Sequence, residues 1–149
     1  MKDEAARPAD GRSGTGADLG ANRAAAADDG PARRVAKPWG HELIWAQTDR
    51  YVGKLIVIEA GQRLSLQLHR RKDESIFVVS GRLRFQLEDG QGVIRTIELG
   101  PGGYRHVPTG RRHRFEALER VELIEVSTTE LDDVVRLEDD YGREGTSAP

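Results

Sequence analysis

From Trp39 to Ser127 the chain is cut into short runs by Gly, Pro and polar turn residues, and no run carries the apolar stripe of an amphipathic helix. The runs are rich in β-branched and aromatic residues: His41–Ala46, Tyr51–Ala60, Arg82–Leu87, Val93–Leu99, His113–Leu118 and Arg120–Ser127. In the third of them Arg82, Arg84 and Gln86 alternate with Leu83, Phe85 and Leu87, which gives a strand one wet and one buried face. Asp89-Gly90 with Gly92 reads as a hairpin turn, and Gly100-Pro101-Gly102-Gly103 as a tight turn. Some eight or more short strands with such punctuation fold as an all-β sandwich or barrel.

One stretch, Gly61 to Gly81, carries the chemistry. Gln67 and His69 stand two apart among Leu64, Leu66 and Leu68, so a strand would put the amide and the imidazole on one face and the leucines on the other. A polar turn, Arg70-Arg71-Lys72-Asp73, leads to Glu74 at the head of a strand running to Ser80. Downstream, Gly102, Pro108 and Gly110 shape the turns before His113. Gln67, His69, Glu74 and His113 are therefore the candidate ligands of a divalent metal. Four N/O donors leave room for water or substrate, as a catalytic site requires. The leucines opposite them should not face water, so a second subunit is expected to cover them in a homodimer.

Composition closes off other classes. The formal charge of −2 has no dominating basic block, so nucleic acid is not the expected partner. No apolar run reaches membrane-spanning length and no secretory signal pattern is present, so no membrane association is expected. Cysteine is absent, which excludes disulfides and thiolate metal sites and fits a cytoplasmic protein. Residues 1–34, rich in Ala, Asp, Gly and Arg, cannot bury enough apolar surface to offset their ordering entropy and read as a disordered tail. The domain is expected over residues 35–143, with a short acidic turn of helix and an arm at its end and residues 144–149 frayed.

The chain resembles the cupin family. The motif G-x5-H-x-H-x4-E-x6-G is matched from Gly61 through Gln67, His69 and Glu74 to Gly81, with Gln67 in place of the first His; G-x5-P-x-G-x2-H-x3-N is matched from Gly102 through Pro108 and Gly110 to His113, with Ala117 in place of Asn. The Gln variant, with the words KPWG, LSLQLH and DDVVRLEDDYGR, resembles the C-terminal cupin domain of type II mannose-6-phosphate isomerase/mannose-1-phosphate guanylyltransferase, over Lys37 to Arg143. The resemblance implies a double-stranded β-helix, or jelly-roll barrel, a zinc ion on the four donors (Mn, Fe, Co or Ni fit them too), and an aldose–ketose isomerase acting on mannose 6-phosphate or a related sugar phosphate. The 149 residues hold no room for the nucleotide-binding half of the bifunctional relatives.

Isomerisation needs a group to move a proton between C1 and C2, a metal to polarise the carbonyl and hydroxyl oxygens, and a cation to grip the phosphate. Lys54 interrupts an apolar run on the face it shares with Ile56 and Ile58, where a lysine is costly unless it meets an anion. The resemblance places a lysine at the same point. Lys54 and His106, the latter approaching His113, are the candidate catalytic residues. Arg63, by parity with Gln67 and His69, and Lys72 are the candidate phosphate contacts. Trp39 and Trp45 are expected to fill core or wall. The chain departs from the relatives at Lys72 (Arg there), Ser75 (His there) and His106 (Tyr there). A non-catalytic cupin that binds a sugar or metabolite as a regulatory module is the alternative; an iron oxygenase on the same barrel is a third possibility.

Overall fold

Alternating apolar residues do become strands. The structure, a computed structural model, describes residues 31–146. Its elements are β1 (Arg33–Lys37), β2 (Gly40–Gln47), β3 (Val52–Ile58), β4 (Leu66–Leu68), β5 (Glu74–Ser80), β6 (Leu83–Glu88), β7 (Ile94–Leu99), β8 (Tyr104–Val107), β9 (His113–Ala117), β10 (Val121–Ser127), β11 (Val135–Glu138) and β12 (Gly145–Thr146). They form two six-stranded antiparallel sheets, in the orders β1-β2-β3-β10-β5-β8 and β12-β11-β4-β9-β6-β7. This is the jelly roll expected of the sequence, with no helix among the described residues. The expected tail, residues 1–34, lies outside them except at its end.

The boundaries move slightly. β1 begins at Arg33, inside the expected tail, because its residues pair with β2 across the Pro38-Trp39 turn, from Lys37↔Gly40 to Arg33↔Ile44. The expected turn of helix near Thr129 is replaced by an irregular segment and then β11, whose backbone pairs with β4. The chain near Gly145, expected to fray, forms the two-residue β12 against β11.

The core lies between the sheets. Ile56, Val78 and Leu123 from the first sheet meet Leu83, Phe85 and Phe115 from the second, all at most 2% exposed. The Phe85 and Phe115 rings sit 5.3 Å apart, tilted by 41°, an arrangement aromatic pairs favour. Trp39 joins this core, whereas Trp45 is 53% exposed, its ring lying across Gly53 on the outer side, where an added Cβ would come within 2.5 Å.

The leucines correct an expectation. Leu64 and Leu66 are each 8% exposed within the single chain. Leu64 belongs to the core and lines the internal cavity, as does its neighbour Ser65. Two consecutive residues facing one cavity break the period of two, because regular pairing of β4 starts only at Leu66. Leu64 and Leu66 thus supply no reason for a second subunit, and Leu68 is half-buried.

Candidate metal centre and cation-lined cavity

Strand pairing assembles the site. β4 and β9 are neighbours in one sheet with Gln67 opposite His113. Glu74 opens β5 in the facing sheet, and His69 follows β4 directly. His69, Glu74 and His113 are at most 2% exposed. Their donor atoms lie within 4.8 Å of one another, a group that could hold a metal ion. Glu74 Oε1 stands 3.2 Å from His113 Nε2 and 3.5 Å from His69 Nε2.

Both imidazoles are held with Nε2 turned inward. His113 Nδ1 is 3.0 Å from the Arg111 carbonyl oxygen and His69 Nδ1 is 2.6 Å from that of Asp133. A carbonyl only accepts, so each Nδ1 carries a proton, and in the neutral ring each Nε2 presents its lone pair. Buried His69 Nε2 and Glu74 Oε1 have no hydrogen-bond partner. Buried donor atoms left unpaired and converging are what a cation would satisfy, so the residues fit a metal. The Gln67 amide lies beside them, Nε2 at 3.5 Å from His113 Nε2 and Oε1 accepting from the Ser65 hydroxyl at 2.7 Å. Exchanging the amide's O and N turns the oxygen toward His113 and leaves the NH2 to donate to Ser65.

A chain of alternating charges leads away from Glu74. Lys72 Nζ contacts Glu74 Oε2 and, at 2.7 Å, Glu125 Oε1. Lys54 Nζ lies 3.6 Å from Glu125 and 3.5 Å from Glu42, and Lys37 is 4.0 Å from Glu42. Burial alone would depress the Lys72 ammonium, but the Glu125 and Glu74 carboxylates outweigh it and hold its pKa above the ordinary lysine value. Burial likewise opposes ionisation of Glu74, yet the Lys72 ammonium keeps its carboxyl well below the usual range. Each charge here has an opposite neighbour, without which it could not stay buried.

These groups wall a cavity of about 360 Å³, within the range of small-molecule sites. Gln67, His69 and Glu74 are among the residues that line it. The cavity wall carries six cations, Arg33, Lys37, Lys54, Lys72, Arg136 and Arg143, against three carboxylates, Glu42, Glu74 and Glu125. Arg136 Nε is buried with no hydrogen-bond partner. Burial, then the charge of Arg143, lowers the Arg136 pKa, with Asp139 and Glu42 opposing. Such a guanidinium would be relieved by an anion.

The sequence-derived candidates divide. Lys54 does point inward and lines the cavity, and Lys72 does too, although its ammonium is committed to two carboxylates. Arg63 is not on the cavity wall: it makes a bidentate pair with Asp140 at 2.6 and 2.8 Å, since the broken alternation at Leu64-Ser65 turns it outward. His106 also faces away. The neighbouring Val107 is fully buried, so His106 turns to the outside, where it meets Asp73 at 2.9 Å. Glu125, Glu42, Arg136 and Arg143 went unnoticed in the sequence. Glu125 could have been found, because it shares parity with Val121 and Leu123 on β10, as Lys54 does with Ile56 on β3, and the two pair directly.

With this geometry in hand, the comparisons with known proteins are specific. The family model described as mannose-6-phosphate isomerase C-terminal matches residues 26–139. The chain belongs to that family. It is 36% identical over 116 residues to the mannose-1-phosphate guanylyltransferase ManC of Salmonella typhimurium, covering 74% of this chain and 23% of the relative. It is 34% identical over 116 residues to the xanthan biosynthesis protein XanB of Xanthomonas campestris, covering 74% and 24%. The chain thus spans about a quarter of the length of these relatives. Among solved structures, oxalate decarboxylase from Bacillus subtilis superposes with a TM-score of 0.65 at 17% identity, over 71% of this chain and 30% of that one. KdgF from Halomonas sp. gives 0.59 at 23%, over 72% and 94%. At these identities the structural neighbours speak for the cupin fold alone.

Proposed function

We propose that this cupin domain is a metal-dependent sugar-phosphate isomerase of the phosphomannose isomerase type, interconverting mannose 6-phosphate and fructose 6-phosphate. The observation that carries the reading is one cavity whose wall carries His69 and Glu74, two members of the His-Glu-His group, together with a surplus of cations. Gln67, His69, Glu74 and His113 would hold the ion, which we take to be zinc; when bound it supplies Lewis acidity toward the sugar's carbonyl and hydroxyl oxygens. Arg136 and Arg143 would grip the phosphate with their planar donor forks. Lys54 lies beyond hydrogen-bond distance of Glu42 and Glu125, so its ammonium has protons to offer a sugar oxygen. Glu42 and Glu125 flank it as carboxylates able to accept a proton, so donor and acceptor for transfer between C1 and C2 stand side by side. Lys72 would hold Glu74 and Glu125 in place rather than contact phosphate.

A second reading, a sugar- or metabolite-binding module without turnover, is favoured by the outward placement of His106. A coupled assay on the purified chain loaded with zinc or cobalt separates the two. Turnover of mannose 6-phosphate, with Arg136→Ala raising KM by about 10- to 100-fold as expected for loss of a charged hydrogen bond, supports the isomerase. No turnover, with sugar-phosphate binding retained by calorimetry, transfers the assignment to the binding module.

A further inference from the structure

The two histidines of the candidate centre are oriented in different ways. His113 is held from within its own loop, through the Arg111 carbonyl two residues before it. His69 is held from 64 residues away, by the backbone carbonyl of Asp133. The Asp133 carboxylate in turn takes three consecutive backbone amides of the turn that follows His69: Arg70 at 3.2 Å on Oδ1, Arg71 at 2.6 Å and Lys72 at 2.9 Å on Oδ2. The next amide, that of Asp73, donates to the Thr128 hydroxyl at 3.1 Å. One carboxylate seated in a row of amides is a strong, geometrically defined anchor. It keeps the Asp133 carbonyl within reach of the ring.

We propose that Asp133 is a positioning residue for His69: by clamping the segment between β10 and β11 onto the turn between β4 and β5, it fixes the His69 ring in the Nδ1–H form with Nε2 directed at Glu74 and His113. The proposal rests on the metal-binding reading above for its consequence, but not for its geometry. A turn cap with no such role would stabilise the fold and leave the imidazole alone, so the test follows the ring itself.

The experiment compares the wild-type chain with Asp133→Ala, Asp133→Asn and Asp140→Ala, all stripped of metal with a chelator and held at mildly alkaline pH. Asp140→Ala breaks a different staple of the same arm, the exposed pair with Arg63. Long-range proton–nitrogen spectra report the tautomer of each histidine, and titration with Co2+ reports affinity. Asp133→Ala is expected to let His69 populate the Nε2–H form and to weaken Co2+ binding about 10- to 100-fold, the usual loss when a metal ligand's own partner is removed. Asp133→Asn, which keeps an acceptor oxygen, should fall between, and it carries the test if the alanine variant does not fold. His113 should be unchanged throughout, and Asp140→Ala should match the wild type. An unchanged His69 tautomer and Co2+ affinity in the Asp133 variants overturns the proposal, as does the same disturbance of His69 in Asp140→Ala. Failure of the wild type to bind Co2+ would strike the metal reading and leave the tautomer result to decide this one.

Discussion

Asp139 shows how much a single carboxylate organises in this chain. It accepts from the Arg143 guanidinium at 2.7 and 3.0 Å, from the Arg143 amide at 2.8 Å and from the Tyr141 amide at 3.2 Å. The Arg143 hydrogen bond is the main reason its carboxyl sits below the ordinary value of 3.8, with burial working against it. A carboxyl depressed on folding contributes stability that is present above its unfolded pKa and is lost as pH falls through the folded one. Asp139→Asn should therefore cost about 1–2 kcal/mol at pH 7, and the gap from wild type should close as pH drops below 3.8. Urea unfolding at neutral and acid pH measures it; a gap independent of pH would refute the assignment. The same substitution releases the Arg143 side chain from the carboxylate that holds it at the cavity wall.

At the scale of elements, the family's glycines are explained by different causes, and Gly81 is the demanding one. It links β5 to β6 with φ of 79°. A Cβ there would stand 2.0 Å from the Arg120 carbonyl oxygen. Backbone cannot withdraw as a flexible side chain can, so Gly81→Ala combines left-handed strain with a clash against the start of β10. We expect a loss of more than about 2 kcal/mol, read as a drop in melting temperature, with little change if the crossing of these strands is looser than described. β10 itself shows why charge inside a barrel is legible as a pattern. Val121, Leu123 and Glu125 share a face, and so do Lys54, Ile56 and Ile58 on β3. A charged residue at a core phase signals a buried partner, and the partner is the one at the same register. Arg63 illustrates the failure of the same reasoning, since parity holds only within continuous pairing and β4 is three residues long.

On the scale of the whole molecule, a different surface takes over the argument for a second subunit. Leu43, Leu55, Ile124, Phe77 and Tyr104 follow one another across β2, β3, β10, β5 and β8 in register. Phe77 is 45% and Tyr104 69% exposed, and Trp45 and Val126 flank the row. Aromatic, charge-poor faces of this kind suit the centre of a subunit interface, so the homodimer we propose pairs two of these faces about a two-fold axis. Phe77→Lys with Tyr104→Lys should convert dimer to monomer in sedimentation, with the melting transition largely kept. A wild type that sediments as a monomer at micromolar concentration counts against it.

What the sequence determined by itself was local in origin: period-two alternation and turn residues specify strands, and the spacing of Gln67, His69 and Glu74 specifies three donors around one turn, because each depends on neighbours a few residues apart. Only the tertiary structure decided which cations share a cavity with those donors, that Lys72 is bound to carboxylates, that His106 and Arg63 turn outward, and that Asp133 reaches His69. Those outcomes depend on pairing between strands far apart in the chain, where a one-residue break in alternation reverses the face a side chain occupies.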